Sequence, residues 1–188
     1  MIQQIINNRP TRLFLILAGF FIANAVIAEV IGVKIFSLED TLRIPRFNFS
    51  LFGQEGLSMD LSVGILPWPA VFIMTDLINE YYGIRGVRFL SFLAAGLIVV
   101  AFVVFYIAIH TAPSGWWVGS QTANGVPDMQ AAYSQVLGQG MSIIIASLTA
   151  FLVGQIADAT VFNQIKKLTG ERRIWMRATL STLVSQLI

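Results

Sequence analysis

The segment from Val87 to Ile109, "VRFLSFLAAGLIVVAFVVFYIAI", carries no charge inside its apolar run. A run of about 20 apolar residues is what an α-helix needs to cross a bilayer, and so much apolar surface is costly to leave in water. The rest of the chain agrees, with 56% of its 188 residues hydrophobic and only 12% charged, where soluble domains carry about 25% charged residues. In hydrocarbon every backbone N–H and C=O must find its partner within the chain. The expected fold class is therefore all-α, a polytopic transmembrane helix bundle in contact with the lipid bilayer.

Four further apolar segments accompany the first. Residues 13 to 36, "LFLILAGFFIANAVIAEVIGVKIF", are long enough to span. "ANA" at 23 to 25 could act as a signal-peptide cleavage site behind Arg9 and Arg12, but the apolar pattern continues well past it. A second span from Val63 to Tyr82 opens "GILPWPAVF", where Pro67 and Pro69 each remove a backbone donor and predict a break or a late helix start. The fourth runs from Leu137 to Phe162, and the last begins at Ile174 and reaches Ile188, short of the roughly 20 residues a crossing needs. Five spans are expected here, the last cut short, and six in the complete protein. They form a single transmembrane domain, with loops at 37–62 and 110–135 outside and a basic cytoplasmic loop at 163–173. Alternating Ile44, Phe47, Phe49 and Leu51 predict a short hairpin or lid in the first loop, and Trp116–Trp117 in the second suits the interface.

Positive charge sets the orientation. Of the 12 Lys and Arg residues, all but Arg43, Arg46 and a membrane-embedded Lys34 fall on one side of this alternating topology. Lys and Arg are enriched in cytoplasmic loops, so the N-terminus is expected in the cytoplasm. With no cysteine there is neither a disulfide framework nor a thiolate metal site, and the single histidine, His110, leaves little for zinc. No metal, cofactor or nucleic-acid partner is expected. The Gly-rich phosphate-binding patterns are absent. So is the Gly-x-Gly-Asp signature of an intramembrane aspartyl protease, since Asp158 sits in "VGQIAD". The chain does not read as an enzyme.

What it does carry is polar residues inside its spans, where an ionised side chain costs roughly 2.5–3.5 kcal/mol. Asn24, Glu29 and Lys34 lie in the first span, Asp76 and Glu80 in the second, Gln155 and Asp158 in the fourth, and Arg177, Ser181, Ser185 and Gln186 in the last. Asp76 and Glu80 are one helical turn apart, as are Arg177 and Ser181, so each helix has one polar stripe. Such stripes suit the lining of a shared, water-accessible cavity. Other readings stay open: an interfacial pair between Glu80 and Arg85, snorkelling by Glu29 and Lys34, and interhelical hydrogen bonds from Asn24 and Gln155. Asp76 and Asp158 have no basic residue within a turn and are the hardest to explain without a ligand.

"FIMTDLINEYYG" at 72–83, together with "GQIADATVF" and "WMRATLSTLVSQ", resembles the queuosine precursor transporter family, also described as a vitamin uptake transporter family. Its pattern D-x-x-x-E-x-Y-G falls on Asp76, Glu80, Tyr82 and Gly83, Q-x-x-D-x-x-x-F on Gln155, Asp158 and Phe162, and W-x-R-x-x-x-S-T-x-x-S-Q on the stretch from Trp175 through Arg177 and Ser181 to Gln186. The resemblance implies a bacterial inner-membrane importer of 7-deazaguanine precursors of queuosine, such as the 7-cyano and 7-aminomethyl compounds. It also implies roles. A carboxylate, Asp76 or Glu80 with Asp158 next, would accept the N1–H and amine of the guanine-like edge. Asn24, Gln155, Lys34 or Arg177 would donate to O6, and Trp68, Phe72 or Trp175 would stack on the ring. The family pattern continues past "SQ" with an acidic residue and a final helix. A second reading is a substrate-binding membrane subunit of a vitamin importer that needs an ATPase partner, and a third is a structural protein whose polar stripes only join helices. The small residues Ala94, Ala95 and Gly96 suit close helix packing in a homodimer.

Overall fold

The computed structural model describes residues 7–142, 144–170 and 173–187, apart from the side chains of Leu51 and Ser142. The chain is mainly helical. Helix α1 (Arg9–Ile31) is capped by Asn8, whose side chain accepts the Thr11 N–H at 3.3 Å, and Pro10 sits in its first turn, where a missing N–H costs nothing. After a short α2 (Leu38–Leu42) come the long α3 (Trp68–His110), the short α4 (Gly115–Val118) and α5 (Met129–Gly138), then α6 (Ile144–Thr169) and α7 (Ile174–Ser185). Three stretches, Arg9–Ile31, Val63–His110 and Ile144–Thr169, are long and apolar enough to cross a membrane. The protein is a membrane protein.

Helix α3 is two arms joined at Gly83, whose φ of 70° and ψ of 178° interrupt the helix. Phe14 of α1 meets Tyr82 beside the bend, ring centroids 4.9 Å apart. Away from the bend, Val71 and Ile78 of the first arm share a core with Leu90 and Ala94 of the second, and Ala25 of α1 packs with Ile98 and Phe102. Both arms therefore run alongside α1 from one turning point. Ala94 and Ala95 are buried inside this bundle, so their small size serves packing within the chain.

The break expected near the prolines is present as a 3₁₀ turn at Val63–Ile65, after which α3 starts with Pro67 as its N-cap and Pro69 in the first turn. Other boundaries differ from the sequence reading. Helix α1 stops at Ile31, so Lys34 lies beyond it with its side chain exposed. The fourth apolar segment becomes helical at Ile144, following a 3₁₀ turn at Gln139–Ser142. A Cβ on Gly140 would come within 3.0 Å of the Phe102 ring, so this turn is packed tightly on α3. At its other end α6 continues through Lys166 and Lys167, so most of the segment read as a basic loop is helix. Cations are favourable in a last turn, and Gly170 at φ 63° follows it.

At the end of α1 opposite the bend lie four strands: β1 (Ile35–Ser37) pairs with β4 (Asp60–Ser62), and β2 (Phe49–Leu51) with β3 (Gln54–Leu57), all antiparallel. Of the alternating residues, Phe49 and Leu51 form one strand of a hairpin, turned by Phe52 and Gly53, both left-handed at φ 49° and 83°, while Ile44 and Phe47 precede it in irregular chain. Glu39 of α2 anchors this layer. Its side chain is enclosed, and Oε1 accepts the N–H groups of Met59 at 2.7 Å and Phe47 at 3.4 Å. These bonds, that from Met59 foremost, hold the carboxyl below its ordinary range.

Two outcomes are expected. Gly83→Ala meets no steric obstacle, since nothing lies within 4 Å of the added Cβ, yet it forces a side chain into a backbone region open essentially to glycine alone. Unfolding in detergent should show a loss of roughly 1–3 kcal/mol, whereas Gly19→Ala, also with open space but in regular helix, should be neutral or stabilising. Glu39 has a lowered pKa when folded, so its contribution is complete above the unfolded carboxylate value of about 4.3 and is lost as pH falls through the folded value. Amide exchange at Met59 should accelerate over that acidic window in the wild type and be fast at all pH values in Glu39→Ala, which removes the acceptor.

Candidate functional site

The first arm of α3, helix α6 and helix α7 bring their polar stripes together in three levels. Four-residue spacing puts Trp68, Phe72, Asp76 and Glu80 on one face of α3. On α6, Phe151, Gln155, Asp158 and Phe162 are all buried, and on α7 so are Arg177, Ser181 and Ser185.

The first level is a cavity of about 490 Å³ whose lining includes Trp68, Phe72, Phe151, Gln155 and Gln186. Trp68 is the centre of its aromatic wall, with ring centroids 5.7 Å from Phe72 and 5.9 Å from Phe151. Gln155 is only 2% exposed, and its Oε1 lies 2.9 Å from the Thr75 hydroxyl. A second cavity of about 380 Å³ shares Trp68 and Gln186 with the first and is bordered by Glu29. There the Ser147 hydroxyl lies 2.7 and 2.9 Å from the two Glu29 carboxylate oxygens.

One helical turn farther toward the bend is the second level, Asp76 and Asp158. Asp158 is fully buried, and its Oδ1 accepts from Thr182 at 3.2 Å and Ser185 at 3.5 Å. Asp76 Oδ1 and Asp158 Oδ2 are both enclosed without a hydrogen-bond partner. The third level is ionic. Glu80 Oε2 is 2.9 Å from Arg177 Nη2 and 3.1 Å from Lys166 Nζ, and Arg177 also donates to the Gly170 carbonyl and lies over the Phe162 ring, 5.4 Å from its centroid. Arg177 is fully buried. The pairing of Glu80 with Arg85 weighed from sequence is thus replaced by one with Arg177 and Lys166, which α7 and α6 carry to it.

Of the residues singled out from the sequence, Trp68, Phe72, Gln155 and Gln186 meet at the cavity, Asp76, Asp158 and Ser181 lie at the second level, and Glu80 and Arg177 hold each other at the third. Three stand apart. Asn24 donates to the Phe20 carbonyl of its own helix at 2.8 Å, Lys34 is exposed beyond α1, and Trp175 is 68% exposed. Several participants were missed: Thr75, Phe151 and Ser147, and the clasp in which Asn79 donates to the Ala159 carbonyl while Asn163 donates to Asn79. Thr75 and Asn79 share the spacing of Asp76 and Glu80 one residue earlier, which was the available signal.

Removing the charge of Glu80 would leave Arg177 buried with no carboxylate. Glu80→Gln should therefore cost about 3–5 kcal/mol of stability, read by denaturation in detergent. Arg177→Met should cost less, since Glu80 keeps Lys166.

Residues 62–188 match the family described as "Putative vitamin uptake transporter", a stretch that contains all three levels. A relative from Bacillus subtilis (strain 168), "Probable queuosine precursor transporter", is 26% identical over 135 residues, covering 71% of this chain and 54% of the relative. The chain thus spans about half the length of the curated relative it matches. No solved structure matches. With well over half its residues matched to the family, the chain belongs to the vitamin uptake transporter family.

Proposed function

We propose that this chain binds and carries 7-deazaguanine precursors of queuosine, the 7-cyano and 7-aminomethyl compounds, as a bacterial inner-membrane importer. The observation that carries this reading is the cavity of about 490 Å³ with Trp68, Phe72 and Phe151 on its walls and the Gln155 amide at its side. Small-molecule sites are concave and mostly apolar, with a few placed polar groups. A flat bicyclic base suits aromatic walls, and its edge needs both donors and acceptors. Gln155 and Gln186 each offer one of both kinds. Asp76 is the carboxylate for the N1–H and amine edge, because Glu80 already serves two cations.

The orientation in this reading follows from charge. Tyr82 donates to the Pro10 carbonyl and Lys166 pairs with Glu80, which brings Arg9, Arg12, Arg85 and Lys167 toward one end of the bundle, the cytoplasmic one. The strands of 35–62 and the segment 110–135 then lie outside. Helix α1, the two arms of α3 and helix α6 each cross, and α7 belongs to a fifth crossing.

A thermal-shift titration in detergent tests the substrate class. Both deazaguanines should stabilise the protein, by about 2.7 kcal/mol at 100 times Kd, while riboflavin should not. Trp68→Ala should weaken binding by roughly 1–3 kcal/mol through lost stacking, and Asp76→Asn should abolish the preference over bases lacking the guanine edge. Equal stabilisation by every ligand, or by none, would refute the assignment. Uptake into liposomes holding this protein alone separates a self-sufficient carrier from a subunit needing an ATPase.

A further inference from the structure

We propose that Asp76 and Asp158 hold a single proton between them and that this proton is the ion to which ligand binding is linked. The shared proton stands on the geometry alone; its linkage to the ligand rests on the transport reading above.

Each aspartate has an enclosed carboxylate oxygen with no hydrogen-bond partner, and Asp158 as a whole is fully buried. Contacts between α3 and α6 flank the pair, Thr75 with Gln155 at 2.9 Å and Asn79 with the Ala159 carbonyl at 3.1 Å, and bring the two aspartates to one level. Neutral hydroxyls reach Asp158, that of Thr182 at 3.2 Å and that of Ser185 at 3.5 Å, and the Ser185 hydroxyl is also within 3.0 Å of the Thr182 carbonyl, where its one proton can go instead. The cations nearby form their ion pairs with Glu80, although the enclosed Nε of Arg177 has no hydrogen-bond partner. Lys166 of α6 and Arg177 of α7 both belong to Glu80 of α3, and the charged group nearest the cavity from α1 is Glu29, itself an anion held by Ser147.

Two carboxylates at one level, Asp158 fully buried and Asp76 half-buried with one oxygen enclosed, cannot both remain ionised at reasonable cost. A metal ion would need more ligands than the pair supplies, and among the described residues no group of three His, Cys, Asp or Glu side chains gathers anywhere. One proton removes one of the two charges and supplies an O–H donor to the unpartnered oxygen opposite. With the proton on Asp158 and its O–H directed at the enclosed oxygen of Asp76, Asp76 stays ionised and its other oxygen can accept from the N1–H and amine edge. A ligand that draws on that charge changes the hold of the pair on its proton, so binding and protonation are linked.

Infrared difference spectroscopy of the reconstituted protein, titrated with pH in the absence of ligand, reads the proton directly. The expected result is one protonated-carboxyl stretch at neutral pH, indifferent to exchange of sodium for choline and absent from both Asp76→Asn and Asp158→Asn. No such band in the wild type would overturn the proposal without recourse to any variant. So would a band that persists in both variants, which would place the proton elsewhere, or one that appears only when sodium is withdrawn, which would make the pair a metal-cation site. Calorimetry of 7-cyano-7-deazaguanine binding in buffers of different ionisation enthalpy then reads the linkage. Wild type should exchange protons with the buffer on binding, and Asp158→Asn should not. Binding with no proton exchange in the wild type would refute the linkage. A band with no ligand binding at all would instead refute the substrate reading and leave the shared proton intact.

Discussion

The carboxylate of Glu80 joins three helices at one point, because Arg177 of α7 and Lys166 of α6 both converge on its Oε2. In a low-dielectric interior a lone Arg177 would be untenable, so the charge dictates that α7 docks with its first turn against the bend of α3. The rest of the column follows from that docking. Once α7 is fixed there, helical spacing carries Ser181, Thr182 and Ser185 past Asp158, and Gln186 up to the aromatic cavity. Gly83 supplies the other half of the constraint by turning the chain where Glu80 and Tyr82 are presented together.

From the bend outward the column changes character by level: paired ions, then two carboxylates in no ion pair, then an amide and three aromatic rings around open space. This gradient is what a binding protein in a membrane needs. Strong charge is concentrated where it is paired, and the two aspartates lie one helical turn from the residues that line the aromatic cavity. The second cavity, across Trp68 and bordered by Glu29, makes that indole a partition between two spaces.

Much of this was legible in the sequence, for a physical reason. A charge inside an apolar run is expensive, so Asp76, Glu80, Asp158 and Arg177 announce themselves, and four-residue spacing shows which share a face. Partners were not legible, because pairing across helices depends on packing: Glu80 lies near Arg85 in the chain but is bound by Arg177 and Lys166 in space. Thr75 was invisible because its hydroxyl satisfies itself on the Val71 carbonyl and adds no conspicuous insertion cost. Helix ends misled for a similar reason. Hydropathy continues from Val33 to Phe36 and from Leu137 to Met141, yet strand pairing with Asp60–Ser62 and close packing of Gly140 on Phe102 set the ends of α1 and α6. Trp175 entered as a candidate through the family pattern and Lys34 through its charge in an apolar run, and the structure places both outside the column with exposed side chains.

The most direct measurement exploits the absence of cysteine from the chain. Gly154 lines the aromatic cavity and has nothing within 4 Å of a built Cβ, so Gly154→Cys places one thiol there without a clash. The account predicts that 7-cyano-7-deazaguanine slows alkylation of this thiol in proportion to its occupancy, while riboflavin at the same concentration leaves the rate unchanged. An alkylation rate indifferent to the deazaguanine at concentrations that stabilise the protein would place the ligand elsewhere and contradict the central claim.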